Sequence, residues 1–367
     1  ADLHTSIVAT GQLVTIFALA YALSSPILTA VTGNQNRRRL MITTMAIFTV
    51  GNLFAWSAQN YWALMAARIL LAFSAGLYVP GANALAGAVA GPGKRGAALA
   101  IVNGGLSIAV AFGVPLGALL GERLGWRATF AGVSILSLLA TVGLIVGLPK
   151  SIGFGLPTAS IQERIATAKQ PIVLLTLLVT TLWAMGAYTV YTYLALFVTS
   201  ATELHGEKIG YVLFTWGLAA AIGVAIGGKT VDRFGHRSVI TPALVAMAAA
   251  FALLSVSAHW LPKAQALGPI LLGVVLWGIA HWAFYPGQQA GLIEIAGAKG
   301  TPVALSLNAS FMYLGFSLGA ALGSITLGLA SVSDLGYVGA MCEIAALILT
   351  AAVGSKLRHQ KAAPLAA

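Results

Sequence analysis

Long apolar runs, separated by short polar segments, make up most of this chain. The runs are about 20 or more residues long, which is the length that a helix needs to cross a hydrocarbon core of about 30 Å, and they lack the strict alternation of barrel strands. The pattern therefore predicts transmembrane helices. Eleven spans follow from it: 5–31, 40–58, 61–90, 97–120, 126–148, 171–200, 209–231, 239–258, 267–296, 303–330 and 335–355.

Composition agrees with a membrane environment. Hydrophobic residues are 59% and charged residues 8% of the 367, whereas a soluble domain has roughly a quarter charged residues. We therefore expect an all-α fold, a polytopic membrane helix bundle. The single cysteine, Cys342, excludes a disulfide framework, and no cysteine, histidine or carboxylate cluster has the spacing of a metal site. We expect no metal and no cofactor.

Positive charge is distributed unequally between alternate loops. Of the 20 lysines and arginines, fifteen lie in one set of loops and four in the other, with Arg68 alone inside a helix. An excess of lysine and arginine marks cytoplasmic loops, so we predict a cytoplasmic C-terminus and an external N-terminus. The net charge of +11 is explained by these clusters, and no nucleic-acid partner is expected.

The sequence also carries an internal repeat. Segments 113–121 and 315–323 share glycine, leucine and alanine at six positions and lie 315 − 113 = 202 residues apart. Val79-Pro80-Gly81 and Tyr285-Pro286-Gly287 are related by a similar offset, 206. Helix bundles that are duplicated in this way are typical of secondary transporters.

The repeat predicts the domain organisation. We expect an N-terminal half at 1–148, a cytoplasmic linker at 149–170 and a C-terminal half at 171–367. Subtracting the offset from the sixth span places its partner upstream of residue 1. The first half is therefore expected to hold five helices and the second six, eleven of twelve, with the first helix lacking from this chain. A natural eleven-helix form is the alternative.

The polar segment 228–237 has a distinctive sequence, Gly-Lys-Thr-Val-Asp-Arg-Phe-Gly-His-Arg. Its glycine would permit close helix approach, its aspartate would cap a helix end or pair with arginine, and its basic residues would stay at the membrane surface. The segment resembles the signature loop of the major facilitator superfamily at the following positions: Gly228, Asp232, Arg233, Gly235 and Arg237. In the first-half copy Gly33 replaces the aspartate, so we expect an Asp–Arg latch to be weaker or absent there.

Two further segments resemble motifs of the same superfamily. Arg68, with the residues 69–76 after it, is similar to the motif of the fourth helix. Gly113, Pro115 and Gly117, followed by Gly-Trp-Arg-Ala-Thr-Phe at 125–130, resemble the antiporter motif of the twelve-helix drug:proton antiporter branch, which includes sugar, nucleoside and arabinose exporters.

The resemblance implies a function. A fold of two pseudo-symmetric halves would export a small organic solute or drug in exchange for protons by alternating access, with the proton gradient as energy source. The protein would be a monomer in the lipid of a bacterial inner membrane, and not an enzyme. The alternatives are a proton-coupled importer or uniporter and a non-transporting membrane sensor or assembly partner.

Ionisable residues inside the apolar runs are candidates for proton coupling. A charge at the bilayer centre costs at least about 2.5–3.5 kcal/mol, so Arg68 and Glu343 each need a partner, water or a function. Arg68 is implicated by the resemblance, but would equally bond carbonyl groups or reach the interface. Glu343 would carry a proton, or be a locally paired or lipid-facing protonated acid. His281 is a third candidate, because imidazole titrates near neutral pH.

Aromatic residues concentrate in the second half. Trp277, His281 and Tyr285 recur every four residues and share one helix face, which would stack on a planar or sugar-like solute or would simply pack between helices. Interhelical hydrogen bonding explains the polar candidates equally well. The candidates for a substrate cavity are Trp183, Tyr188, Tyr191, Trp216, Trp277, Tyr285, Asn308 and Tyr313.

Overall fold

The structure is a computed structural model that describes residues 7–32, 35–89, 108–150, 169–206 and 208–362, together with residues 102, 105, 152, 162 and 166. All regular secondary structure in these residues is helical. Ten segments are long and apolar enough to span a membrane, which confirms the predicted polytopic helix bundle. The chain divides into two compact units, Ala1–Gln162 and Glu163–Ala367. The division falls within the predicted linker.

The described part of the first unit forms five regular α-helices. They are α1 (Ile7–Val31), α2 (Arg37–Ser57), α3 (Tyr61–Val89), α4 (Val114–Leu124) and α5 (Trp126–Gly147), with a π-helical turn at Ala109–Gly113 before α4. Helix α2 packs against α3 and α5, and α3 packs against α1. The first part of the predicted span 97–120 lies largely outside the described residues, and its last part forms the π turn and the start of α4.

Local sequence explains how these helices begin. The side chain of Asn36 accepts a hydrogen bond from the Arg39 backbone N–H at 3.1 Å and so caps the start of α2. Pro115 stands in the first turn of α4, where a missing N–H costs nothing. Between α4 and α5, Gly125 has φ +82°, a left-handed conformation that favours glycine.

The described part of the second unit forms six regular α-helices. They are α6 (Pro171–Tyr191), α7 (Leu194–Ala201), α8 (Lys208–Phe234), α9 (Arg237–Trp260), α10 (Lys263–Leu329) and α11 (Leu335–Ala362), with a 3-10 turn at Val332–Asp334. The predicted span 171–200 is wrong in one respect, because the helix is interrupted at Thr192 and Tyr193. Helix α6 packs on α10 and α11, while α8 and α9 pack on the other sides of α10.

Helix α10 contains two membrane spans, Lys263–Ala296 and Val303–Leu329, and the loop predicted between them is helical instead. The chain nevertheless reverses there. The Gln288 amide nitrogen lies 2.9 Å from the Thr180 hydroxyl, and the Asn308 amide oxygen lies 2.7 Å from that same hydroxyl. Twenty residues of straight helix would separate Gln288 from Asn308 by about 30 Å, so the segment between them must bend back.

The repeated glycines pack differently in the two units. In the second copy, a Cβ added to Gly315 would lie 2.5 Å from the Thr181 carbonyl oxygen, and one added to Gly323 would lie 2.7 Å from the Thr189 carbonyl oxygen. These glycines therefore bring α10 into close contact with α6, as small residues do between membrane helices. In the first copy, a Cβ on Gly113 or Gly117 would meet no described atom within 4 Å.

Tyr193 anchors the end of this glycine face. Its ring carbon lies 2.7 Å from the Cβ position of Gly323, and its hydroxyl donates a hydrogen bond to the Ala320 carbonyl at 3.1 Å. This hydrogen bond ties the junction of α6 and α7 to α10.

Candidate functional site

Trp183 is the centre of an aromatic stack in the second unit. Its ring lies 4.2 Å from the His281 ring with an interplanar angle of 14°, and 4.7 Å from the Phe284 ring; the Tyr285 ring follows at 6.1 Å. Trp183 and His281 are buried. Neither Trp183 Nε1 nor His281 Nδ1 has a hydrogen-bond partner among the described residues, so two polar atoms are unsatisfied within this apolar cluster.

A second aromatic group adjoins the stack. Trp216 lies 4.7 Å from Tyr191, 5.5 Å from Trp277 and 6.4 Å from His281, measured between ring centroids. On the other side of α6, Tyr188 stacks on Phe316 at 3.7 Å. The structure therefore brings together aromatic residues of α6, α8 and both spans of α10.

Burial separates the predicted cavity residues into two classes. The tryptophans Trp183, Trp216 and Trp277 are buried, so helix packing accounts for them in this conformation. The four tyrosines on the same list keep part of their surface exposed: Tyr188, Tyr191, Tyr285 and Tyr313. Only the tyrosines are in a position to contact a solute without rearrangement of the second unit.

A buried polar network links α6 to both spans of α10. The Thr180 hydroxyl donates to the Asn308 amide oxygen at 2.7 Å and accepts from Gln288 Nε2 at 2.9 Å. Gln288 also donates to the Thr176 carbonyl oxygen at 2.7 Å, while Asn308 Nδ2 has no described partner. The sequence analysis found Asn308 but missed Thr176 and Thr180. Their spacing of four residues on one helix was the available signal.

A cavity of about 270 Å³ lies beside this network, between the start of α6, the start of α9, the end of the first α10 span and the later part of α11. Gln288 and Thr176 belong both to the cavity wall and to the network. The remaining polar wall consists of His236, Arg237, Thr241 and Thr350. None of the predicted aromatic candidates lines this cavity.

Glu343 is enclosed by the packing of α11 on α6. Its side chain is fully buried, and neither carboxyl oxygen has a hydrogen-bond partner among the described residues. Gly186 makes room for it, because a Cβ on Gly186 would stand 2.6 Å from Glu343 Oε1 and 2.8 Å from the Gly339 carbonyl oxygen. The expectation of a locally paired or lipid-facing acid is thus wrong.

Arg68 in the first unit is held by α1. Its Nε donates to the Leu13 carbonyl oxygen at 3.2 Å, and its guanidinium carbon lies 4.5 Å from the centroid of the Phe17 ring. These contacts correspond to the structural alternative, in which the arginine bonds a carbonyl group. A role in proton coupling stays a prediction.

The signature loop differs from expectation in two details. Asp232 lies at a helix end, in the last turn of α8, but it neither caps the helix nor pairs with an arginine among the described residues. Gly228 does not mediate close approach, because a Cβ there would meet nothing within 4 Å; Gly223 and Gly227 pack on the Ile279 and Ala283 backbone instead. The helix ends at Gly235, which has φ +80°. Arg233 lies 6.0 Å from the Phe234 ring, and Arg237 begins α9.

The antiporter motif lies at a local irregularity of the backbone. Gly113 is the last residue of the π-helical turn, and Pro115 and Gly117 follow in the first turn of α4. Single π turns are frequent at functional sites, because they change the direction of a helix at one point. The motif therefore coincides with an irregular turn, and its part in transport stays a prediction.

Comparisons with known proteins agree with this architecture. A family model described as the Major Facilitator Superfamily matches residues 1–319. An uncharacterized MFS-type transporter, YbcL of Bacillus subtilis (strain 168), is 33% identical over 350 residues, which cover 95% of this chain and 87% of that protein. The inner membrane transport protein YdhP of Escherichia coli (strain K12) is 30% identical over 332 residues, 90% of this chain and 82% of that protein.

A solved structure supports the fold independently. The crystal structure of the human organic anion transporter MFSD10 (TETRAN) aligns with a TM-score of 0.71 at 18% identity, over 92% of this chain and 83% of that chain. The likeness at this low identity concerns the fold, while the family model and the two bacterial relatives concern the sequence. The chain therefore belongs to the major facilitator superfamily and is a multi-pass membrane transporter, not an enzyme.

Proposed function

We propose that this transporter exports a small organic solute in exchange for protons across a bacterial inner membrane, with its C-terminus in the cytoplasm. The observation that carries the proposal is Glu343, a fully buried carboxyl group whose oxygens have no described partner. An ionisable group inside a membrane protein is by default a candidate for proton transfer. Glu343 is such a group, and it lies where α11 packs against Gly186 of α6.

Proton uptake at Glu343 would be coupled to helix packing. A carboxylate without a cation or a hydrogen bond is costly to bury, whereas a protonated carboxyl fits the packing of α11 against Gly186. Release of the proton therefore favours an arrangement in which water reaches the contact between α6 and α11. A proton can drive alternating access only if its binding stabilises one of the two conformations more than the other.

The aromatic cluster is the proposed contact region for the solute. Partly exposed tyrosines lie around Trp183 and His281, whose buried Nε1 and Nδ1 atoms have no hydrogen-bond partner among the described residues and would reach a solute only after rearrangement of the second unit. Aromatic faces with a few hydrogen-bonding groups suit a planar or sugar-like solute. Export and a monomeric state are implied by the resemblance to the antiporter branch, and the two halves at 1–148 and 171–367 by the internal repeat. The name of YdhP supports the inner membrane.

The proposal is tested in proteoliposomes that contain a pH-sensitive dye. Arabinose, inosine and tetraphenylphosphonium are first compared by thermal shift, and a stabilising compound is then added outside liposomes with an acidic lumen. Antiport predicts that an acidic lumen speeds solute uptake severalfold and that the lumen becomes more alkaline as solute enters. Uptake that is faster with an acidic exterior would mean symport, and uptake without proton movement would mean uniport; either result contradicts the proposal.

A further inference from the structure

We propose that the cavity formed by the ends of α6, α9, α10 and α11 binds an anionic amphiphile, a molecule with a carboxylate or phosphate group and a short alkyl part. The cavity has a volume of about 270 Å³ and lies wholly within the second unit. Neither Glu343 nor the aromatic cluster contributes to its wall. The site therefore does not depend on the exchange of protons for solute proposed above.

Arg237 supplies the positive charge of the site. It is the first residue of α9, it is exposed, and it lines the cavity. Within the part of the chain that the structure describes, its guanidinium forms no hydrogen bond, ion pair or ring contact. A guanidinium binds a carboxylate or a phosphate through two parallel hydrogen bonds, so an unengaged arginine at a cavity mouth favours an anionic group.

The neighbouring acid, Glu294, contacts His236 and not Arg237. Glu294 Oε2 lies 3.4 Å from Nδ1 of His236, and the His236 ring rests against Gly291, where a Cβ would be only 3.1 Å from the imidazole Cδ2. Gly291 thus lets His236 reach Glu294 across α10. The 3.4 Å ion pair of Glu294 is thus with His236 and not with Arg237.

Part of the cavity wall is buried and apolar. Val179, Ile240 and Val353 are buried residues of its wall. The hydroxyls of Thr176 and Thr350 donate to carbonyl groups of their own helices, at 2.7 and 2.8 Å, so neither offers a free donor to an anion. An anion therefore finds its donor at the mouth, and an alkyl part finds the apolar surface inside.

The volume limits what enters. Ligand pockets of proteins usually hold about 300–1,000 Å³, so a cavity of about 270 Å³ accommodates a charged group with a short chain. Two sources carry this chemistry, a free single-chain acid from the aqueous phase and the headgroup region of an anionic membrane lipid. The site lies at the end of the unit where α6 and α9 start and α11 ends, which we predict to be cytoplasmic.

Native mass spectrometry from an uncharged detergent tests the proposal on the purified protein. The probes are decanoate, dioleoylphosphatidylglycerol and, as the oppositely charged control, decylamine. Arg237→Gln removes the charge, and Gly354→Leu fills the cavity, because a Cβ on Gly354 meets nothing within 4 Å. The matched controls are Arg233→Gln, an exposed arginine outside the cavity wall, and Gly268→Leu, a helical glycine with equally open surroundings.

We expect one equivalent of decanoate or of phosphatidylglycerol to bind, with affinity lowered about tenfold or more by Arg237→Gln and by Gly354→Leu and little changed in the two controls. Binding of decanoate assigns the site to a free acid, and binding of the lipid alone assigns it to a headgroup. The proposal is overturned if decylamine binds as well as the anions, if neither anion binds, or if both cavity variants keep the wild-type affinity. Size-exclusion chromatography of each variant checks that a loss of binding is not caused by misfolding.

Discussion

Arg38 and Arg127 each form hydrogen bonds between the antiparallel helices α2 and α5, and the two contacts lie at opposite ends of this helix pair. Arg38 donates to the carbonyl oxygens of Leu148 and Ile145 at the end of α5, both at 2.7 Å. Arg127, near the start of α5, donates to the Ala58 carbonyl oxygen beyond the end of α2 at 2.9 Å. Each arginine thus binds carbonyl groups at the C-terminal end of the other helix, where the helix dipole also favours positive charge.

We predict that Arg38→Gln and Arg127→Gln each lower the free energy of unfolding by about 1–3 kcal/mol, the usual value for a hydrogen bond to a charged group. Because the two contacts lie at opposite ends of the helix pair, the double variant should show the sum of the two losses. Unfolding by sodium dodecyl sulfate, followed by tryptophan fluorescence, measures the effect. Arg39→Gln is the control, since this exposed side chain has no described partner, and an equal loss there would contradict the assignment.

The glycine face of the second repeat should tolerate no side chain. A Cβ on Gly319 would press on the Met185 carbonyl oxygen and would stand 3.0 Å from the Thr189 nitrogen, and backbone atoms yield little. We expect Gly319→Ala to cost about 1–3 kcal/mol of unfolding free energy. Gly328→Ala in the same helix meets nothing within 4 Å and should be neutral or stabilising by up to about 1 kcal/mol. Thermal unfolding of the two variants measures this difference in stability. Equal effects of the two substitutions would contradict the close packing assigned to Gly319.

The sequence predicted the helices best where an apolar run is bounded by charge. Helix α2 (Arg37–Ser57) and α5 (Trp126–Gly147) lie within a few residues of their predicted spans, because arginines and glycines mark their ends. It failed at Thr192, where α6 stops inside an apolar run, and at residues 297–302, where the helix continues through a polar segment. A hydropathy pattern indicates which residues are apolar enough to lie in the membrane. It does not indicate where tertiary packing breaks or bends the helix backbone.

The candidate site was predictable as a set of residue types but not as a set of contacts. The spacing of Trp277, His281 and Tyr285 gave a shared helix face. That Trp183 of another helix stacks on His281 depends on how α6 packs against α10, and no local pattern encodes this. Thr180 was missed for the same reason: a threonine in an apolar helix most often bonds its own backbone, and the side chains that bond Thr180, those of Asn308 and Gln288, belong to another helix.

The polar network around Thr180 should contribute measurably to stability. Asn308→Ala removes the acceptor that lies 2.7 Å from the Thr180 hydroxyl and leaves it only the Thr176 carbonyl oxygen at 3.5 Å, and the loss of a good acceptor for a buried hydroxyl costs about 1–3 kcal/mol. Ser310→Ala is the control, because the Ser310 hydroxyl bonds only the Ser306 carbonyl of its own helix, at 3.3 Å. Detergent-induced unfolding should show a clear loss for Asn308→Ala and almost none for Ser310→Ala. Similar losses in both would mean that the interhelical bond carries no net stability.

The contact between Arg68 and Phe17 should be energetically coupled. Lysine keeps the charge of Arg68 but lacks the planar group that lies 4.5 Å from the Phe17 ring, and leucine at position 17 removes the ring. We expect a coupling free energy of about 0.5–2 kcal/mol between Arg68→Lys and Phe17→Leu in a double-mutant cycle of unfolding. Strict additivity of the two losses would show that the ring and the guanidinium do not interact.

Glu343 offers the sharpest test of proton coupling. Glu343→Gln keeps the size of the side chain but removes the titratable group. Transport driven by a pH difference should therefore fall by about tenfold or more, since the loss of a group that transfers protons in an enzyme usually lowers the rate by about 10²–10⁴-fold. Exchange of labelled for unlabelled solute, which requires no net proton movement, should be largely retained, because the packing against Gly186 is preserved. Glu203→Gln, an exposed acid between α7 and α8, is the matched control and should behave as wild type. If Glu343→Gln keeps full pH-driven transport, the buried carboxyl does not carry the proton, and if exchange is lost as well, the side chain acts in the packing of α11 on α6 instead.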